Sequence, residues 1–169
     1  MSLRKKVVLL GSTGSIGTST LKVARDIPGR IELIALAANR SVDALVTQVE
    51  ETQVRHVARW KEKAAEIAAT RLDSGVTIHS GEQGLIELAQ LPQADMVIIA
   101  IIGTAGLRPA LAAIEAGKDI AVASKEILVM AGQAVMNAAE KHGVNVLPID
   151  SEHNAIYQCL EANRDRAEV

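Results

Sequence analysis

The chain has 169 residues, 49% of them apolar, and a net charge of −2, with 18 Lys and Arg set against 20 Asp and Glu. That is enough length for one domain with a full core, and it leaves no basic field to hold a polyanion. Phe is absent, Trp60 and Tyr157 are the only aromatic residues and Cys159 is the only cysteine, which excludes base-stacking platforms, an internal disulfide and a cysteine zinc cluster.

No apolar run is long enough to span a membrane and no signal-like apolar stretch opens the chain, so it reads as cytoplasmic, with no nucleic-acid or membrane partner. Met1-Ser2-Leu3 is given no structural weight. The run Lys6-Val7-Val8-Leu9-Leu10 reads as a strand that feeds into Gly11-Ser12-Thr13-Gly14-Ser15-Ile16-Gly17, with a helical pattern over Ser19 to Ile27. Strand, glycine turn and helix start in this order are the pattern of a dinucleotide-binding βαβ unit. Gly11 allows a sharp turn, Gly14 lets backbone approach a pyrophosphate, and Gly17 lets helix pack against strand. Ser12, Thr13 and Ser15 add hydroxyls around N–H groups that already favour anions. A glycine turn without a ligand is the alternative.

Ile31 to Ala37 reads as the second strand, followed by Asn39-Arg40-Ser41. NAD-selecting proteins usually place Asp or Glu there for the ribose hydroxyl. An amide, a guanidinium and a hydroxyl favour the 2′-phosphate of NADPH instead. Ser41 also suits a helix cap, and Arg40 could equally be a solvated loop charge. Residues 42–52 read as a helix, His56 to Arg59 as a strand, Trp60 to Leu72 as a helix stopped at Ser74-Gly75, Val76 to His79 as a strand, and about Glu82 to Gln90 as a short helix. His56, His79 and His142 have no neighbours at metal-ligand spacing and read as strand-end or surface residues. Asp95 to Ile102, the most apolar run, reads as a central strand buried on both faces, ending at Gly103-Thr104-Ala105-Gly106. A helix to Glu115, a strand over Ile120 to Ala123, a helix from Ser124-Lys125-Glu126 to His142 and a last strand over Val144 to Ile149 follow. Cys159 reads as an inert core residue of an apolar helical stretch. Strand and helix alternate throughout, which predicts an α/β fold: a doubly wound, mostly parallel sheet with helices on both faces, Rossmann-like.

Asp150 and Glu152 stand two residues apart at a strand end. On an extended backbone both would leave one face and share a hard cation, Mg²⁺ or Mn²⁺. Asp150 could equally cap a helix, with Glu152 as an acid of its first turn. Ser124-Lys125-Glu126 is open in the same way: a cap and a solvated charge, or a lysine aimed at a substrate oxygen and a glutamate at the cofactor.

With these pieces assembled, the sequence resembles the 1-deoxy-D-xylulose 5-phosphate reductoisomerase family from Val7 to about Leu160. The resemblance is carried by Gly-Ser-Thr-Gly-Ser-Ile-Gly at 11–17, Ala-Ile-Ile-Gly at 100–103, Ser-Lys-Glu at 124–126 and Asp-Ser-Glu-His-Asn-Ala-Ile at 150–156. It implies NADPH and a divalent cation acting on a sugar phosphate, which is isomerised and reduced to 2-C-methyl-D-erythritol 4-phosphate in non-mevalonate isoprenoid synthesis. It implies coenzyme contacts at Gly11, Thr13, Gly14, Ser15, Ile16, Gly17, Asn39, Arg40, Ser41, Ser124 and Glu126, and substrate contacts at Lys125, Ser151 and Glu152. Lys125 and Glu152 would be catalytic, and Asp150 and Glu152 metal ligands. Asn39-Arg40-Ser41 departs from the Gly-Lys-Asn type common in the family, and Ser124 stands where many members have Asn.

The resemblance further implies an NADPH-binding domain over 1–160 and the start of an interdomain segment over 161–169, with a third metal carboxylate and the dimer contact of the homodimeric family further along. The 169 residues alone are then expected not to turn over substrate. Two other readings share the glycine turn. A cofactor domain like that of aspartate-semialdehyde dehydrogenase would need a nucleophilic cysteine, for which Cys159 is poorly placed. A non-catalytic NADPH-sensing module would have no use for Asp150 with Glu152.

Overall fold

The computed structural model describes residues 4–39, 41–60, 68 and 70–162. Arg40, most of the helix expected between Trp60 and Leu72, and the segment 163–169 lie outside them.

Among the described residues, seven strands form one sheet: β1 (Lys5–Leu10), β2 (Ile31–Ala38), β3 (His56–Arg59), β4 (Thr77–Ser80), β5 (Met96–Ile99), β6 (Asp119–Val122) and β7 (Val146–Pro148). The helices are α1 (Ser15–Asp26), α2 (Val42–Thr52), α3 (Gly81–Ala89), α4 (Leu107–Glu115), α5 (Lys125–His142) and α6 (Ser151–Ala162), with a 3-10 turn at Gly103–Gly106. The strand order is β4-β3-β2-β1-β5-β6-β7 and every pairing is parallel. The chain thus steps outward from β1 in one direction, returns, and steps outward from β5 in the other. The reversal leaves a crevice over the carboxyl ends of β1 and β5, the place where doubly wound sheets bind their ligands.

The continuous apolar runs are explained by burial on both faces. Val8 and Leu10 of β1 join Val97 and Ile99 of β5, Leu85 and Leu88 of α3, Ala110 and Ile114 of α4 and Ile127 of α5 in one core cluster. The alternate residues Val7 and Leu9 face Leu21 of α1 and Leu45 and Val49 of α2 in a second. No helix of the described residues is long and apolar enough to cross a membrane.

Two expectations are corrected. The apolar run after Asp95 leaves the sheet at Ile99, because β1, its partner, ends there: Leu10 pairs with Ile99. Ile102 is 90% exposed, so hydropathy marked the run but not where its hydrogen-bonding partner stops. Cys159 is exposed, as are Ile156 and Tyr157 on the same helix, which lies beyond the edge strand β7.

His56 opens β3 and His79 is the residue before the end of β4, and the pairing of these strands brings them together. Neighbouring strands bring their rings to 5.9 Å, and His79 Nδ1 lies 2.7 Å from Glu87 Oε2. Burial, and then the charge of His79, hold the His56 pKa below its ordinary 6.5. The unfolded chain therefore binds a proton that the folded chain resists. His56 costs nothing above pH 6.5, and stability is lost as the pH falls through that value. The melting temperature is expected to fall between about pH 7.5 and pH 5.5, above the range in which carboxylates titrate, and to fall less steeply in His56→Gln. Equal slopes in the two proteins would remove His56 as the cause.

Candidate functional site

A parallel sheet sends all its carboxyl ends to one edge, so every predicted site residue that is described lies on that edge. The glycine turn is fixed from two sides. The Gly11 and Ser12 N–H groups both donate to the Ala37 carbonyl at the end of β2, at 2.8 and 2.9 Å. Gln48 of α2, itself buried, donates from Nε2 to the Ser12 carbonyl at 3.1 Å.

The three glycines meet different constraints. Gly11 has φ +99, and a Cβ on it would stand 2.3 Å from the Ala100 carbonyl oxygen; a Cβ on Gly17 would stand 2.2 Å from the Gly11 oxygen. A Cβ on Gly14 would meet only the Gly11 oxygen, at an ordinary 3.5 Å. The fold therefore requires glycine at 11 and 17 but not at 14. Gly14 is the cap residue of α1, which has no side-chain cap and no acid in its first turn. The start of α1, at Ser15, Ile16 and Gly17, thus keeps its positive dipole end uncompensated, as an anion-binding helix does. The Ser12 hydroxyl is buried and unpartnered, so it does not belong to the open side of the turn; Thr13 and Ser15 remain there.

Asn39 is exposed after β2, and Ser41 caps α2 by accepting from the Ala44 N–H at 3.1 Å. Arg59, at the end of β3, donates from Nη1 to the Ser41 carbonyl at 3.1 Å.

On the other side of the crevice, the Ser124 hydroxyl is within donating distance of the Gly103 carbonyl at 2.8 Å and of Glu126 Oε2 at 2.9 Å. It caps no backbone N–H of α5 and instead ties the end of β5 to the start of that helix. The Glu126 N–H, then the Ser124 hydroxyl, hold the Glu126 carboxyl below its ordinary pKa. Lys125 Nζ lies 3.8 Å from Glu152 Oε1, so the ends of β6 and β7 converge on one ion pair.

The backbone at 150–152 is not extended, because α6 begins at Ser151. Asp150 is its cap: Oδ1 accepts from the His153 N–H at 2.9 Å and lies 2.7 Å from His153 Nδ1. Glu152 stands in the first turn, its Oε2 accepting from the Ser151 hydroxyl at 2.8 Å. Burial raises the Asp150 pKa, but the backbone and side-chain hydrogen bonds from His153 outweigh it and the net shift is downward. The Ser151 hydroxyl, the Glu152 N–H and Lys125 lower Glu152 likewise. Both carboxylates are therefore ionised and acceptor-only at neutral pH. Asp150 Oδ2 is buried and finds no partner. An orphaned anionic oxygen beside a second carboxylate fits a hard cation. Among the described residues no three Asp, Glu, His or Cys gather to hold a metal, so these two would be a partial ligand set.

Sequence reasoning missed Gln48, Arg59 and His153. Gln48 interrupts the apolar stripe of Leu45 and Val49, and Arg59 follows the buried apolar pair Val57-Ala58; a polar residue inside a buried pattern was the available signal. His153 gave none, since its role depends on the cap geometry.

A family model described as 1-deoxy-D-xylulose 5-phosphate reductoisomerase matches residues 7–132. A relative of that name from Geobacillus sp. (strain WCH70) is 47% identical over 165 residues, 97% of this chain and 43% of the relative. Another, from Aeromonas salmonicida (strain A449), is 50% identical over 157 residues, 91% of this chain and 40% of the relative. Among solved structures, the enzyme from Zymomonas mobilis in complex with NADPH aligns with TM-score 0.87 at 41% identity, over 92% of this chain and 41% of that one. A reductoisomerase in complex with NADPH, fosmidomycin and magnesium aligns with TM-score 0.88 at 43% identity, over 92% of this chain and 38% of that one. The chain spans less than half the length of the relatives it matches.

Proposed function

This chain belongs to the 1-deoxy-D-xylulose 5-phosphate reductoisomerase family, and from that premise we propose that residues 1–160 form the NADPH-binding unit of such an enzyme. The observation that carries the reading is Gly14, a position where the fold would accept a Cβ and a ligand backbone approach would not. When bound, NADPH supplies a hydride and a divalent cation supplies Lewis acidity toward a substrate carbonyl.

The chain's own residues divide the work. Thr13, Gly14, Ser15 and Ile16 receive the pyrophosphate at the start of α1, with Gly11 and Gly17 shaping the turn. Asn39, Arg40 and Ser41 receive the 2′-phosphate. The Ser124 hydroxyl holds Glu126 beside the end of β5, where both face the coenzyme. Asp150 offers its unpartnered oxygen to Mg²⁺ or Mn²⁺ together with Glu152. Lys125 and Ser151 present an ammonium and a hydroxyl to oxygens of the sugar phosphate, deoxyxylulose phosphate, and the Lys125–Glu152 pair orients both side chains. Conversion to 2-C-methyl-D-erythritol 4-phosphate is proposed for the whole enzyme. The resemblance carries with it the cytoplasm and a homodimer for the full-length protein.

Titration of this chain with NADPH and NADH, followed by nicotinamide fluorescence, tests the reading. NADPH is expected to bind at least about tenfold more tightly, because an arginine can pair with the 2′-phosphate and no carboxylate stands at 39–41. Equal affinities would remove the basis of the proposal.

A further inference from the structure

We infer that Arg59 is a specificity-determining residue for the phosphorylated coenzyme, a buried cation beneath the start of α2 whose charge is balanced by the ligand's 2′-phosphate. The inference rests on the NADPH reading above and adds to it a residue outside the glycine turn and outside residues 39–41.

Arg59 is the last residue of β3 and pairs in register with Ala38, the last residue of β2. Val57, two positions earlier on the same strand, packs with Ala38 and with Leu45 of α2. Strand alternation therefore puts the Arg59 side chain under the start of α2, in agreement with the Nη1 bond to the Ser41 carbonyl. It is 1% exposed, the largest fully buried side chain among the described residues. Burial lowers its pKa, yet a guanidinium stays protonated in a protein at any physiological pH.

This cation lies against a helix N-terminus, the end at which the dipole is already positive and cations are disfavoured. Its Nε finds no hydrogen-bond partner. No described carboxylate lies within ion-pair distance of it. Asp43, the acid of the first turn of α2, pairs with Arg71 instead, and its side chain is exposed. Holding the Ser41 carbonyl needs only a neutral donor. A buried charge whose one hydrogen-bond partner among the described residues is a carbonyl is a cost to folding that an arriving anion would offset. Asn39, exposed after β2, and Ser41, the cap of α2, flank the position where the 2′-phosphate is proposed to sit. Arg59 acts from below: it fixes the Ser41 carbonyl, and its water-shielded charge favours a dianion over a hydroxyl.

Arg59→Met separates this role from a structural one, because the two predict opposite pairings of effects. The variant is expected to melt at or above the parent temperature without ligand, since a buried charge with no counter-ion among the described residues is replaced by an apolar side chain. Its affinity for NADPH and for 2′,5′-ADP is expected to drop about tenfold while that for NADH is unchanged. If Arg59→Met does not fold, Arg59→Gln carries the same test, keeping a donor for Ser41 and removing the charge. A parent chain that prefers NADPH, with a variant that keeps the full preference, overturns this inference alone. A parent chain that does not prefer NADPH overturns it together with the coenzyme reading.

Discussion

Gly14→Ala is expected to fold as well as the parent chain and to bind NADPH at least about tenfold more weakly, whereas Gly11→Ala and Gly17→Ala are expected not to fold. Gly14 has φ −81 and ψ 174, extended backbone open to any residue, and a Cβ there meets nothing closer than 3.5 Å. The lower chain entropy of alanine and its poorer capping of α1 act in opposite directions, each about 1 kcal/mol or less. What the methyl group occupies is the space through which an anion reaches the N–H groups of α1. At Gly11 a side chain is strained by φ +99 and driven to 2.3 Å from a backbone oxygen of the central strand connection. The left-handed backbone alone costs about 1–2 kcal/mol. The overlap is with the main chain of Ala100, whose N–H donates to the Leu10 carbonyl at 2.8 Å, while Gly11 is itself held by its bond to the Ala37 carbonyl, so neither side relaxes cheaply. Against a total stability of about 5–15 kcal/mol, that is enough to unfold a domain of this size. Circular dichroism and thermal melts read the fold, and fluorescence titration reads the coenzyme. A Gly14→Ala protein with parental NADPH affinity would place the nucleotide elsewhere.

The second large effect is expected at Asp150, where two roles coincide and two substitutions separate them. Asparagine caps a helix about as well as aspartate, so Asp150→Asn keeps an acceptor for the His153 N–H and leaves α6 in place. It removes the charge from the buried oxygen that has no partner. Mn²⁺ affinity, measured by electron paramagnetic resonance of the free ion at millimolar metal, is expected to fall at least about tenfold with little change in melting temperature. Asp150→Ala loses the cation and the cap together and is expected to be destabilised by about 1 kcal/mol as well. Parental Mn²⁺ binding by the asparagine variant would reduce Asp150 to a helix cap.

The mostly parallel architecture and the edge on which the chemistry lies were legible in local composition. Apolar runs such as Val7 to Leu10 are too continuous for a sheet with one wet face, and their alternation with helical patterns leaves a doubly wound sheet as the economical solution. Once all strands are parallel, the residues that follow them, Gly11, Asn39, Gly103, Ser124 and Asp150, must share one side. Local composition is enough for this, because turn glycines, helix caps and buried strands are specified within a few residues.

Which residues serve the fold and which are open to a ligand became clear once distant segments were packed together. Gly11, Gly14 and Gly17 look alike in the sequence, but they separate once Ala100 and the Gly11 carbonyl are in place around them. Strand pairing alone brings His56 to His79 and Arg59 to the turn after β2, across distances in sequence that no periodicity links. The end of β5 is set by where β1 stops, not by its own hydropathy. The start of α6 decided that Asp150 is a cap with one oxygen left over. In each case the deciding quantity is which partner remains for a polar atom or a missing Cβ, and that belongs to pairs of distant residues.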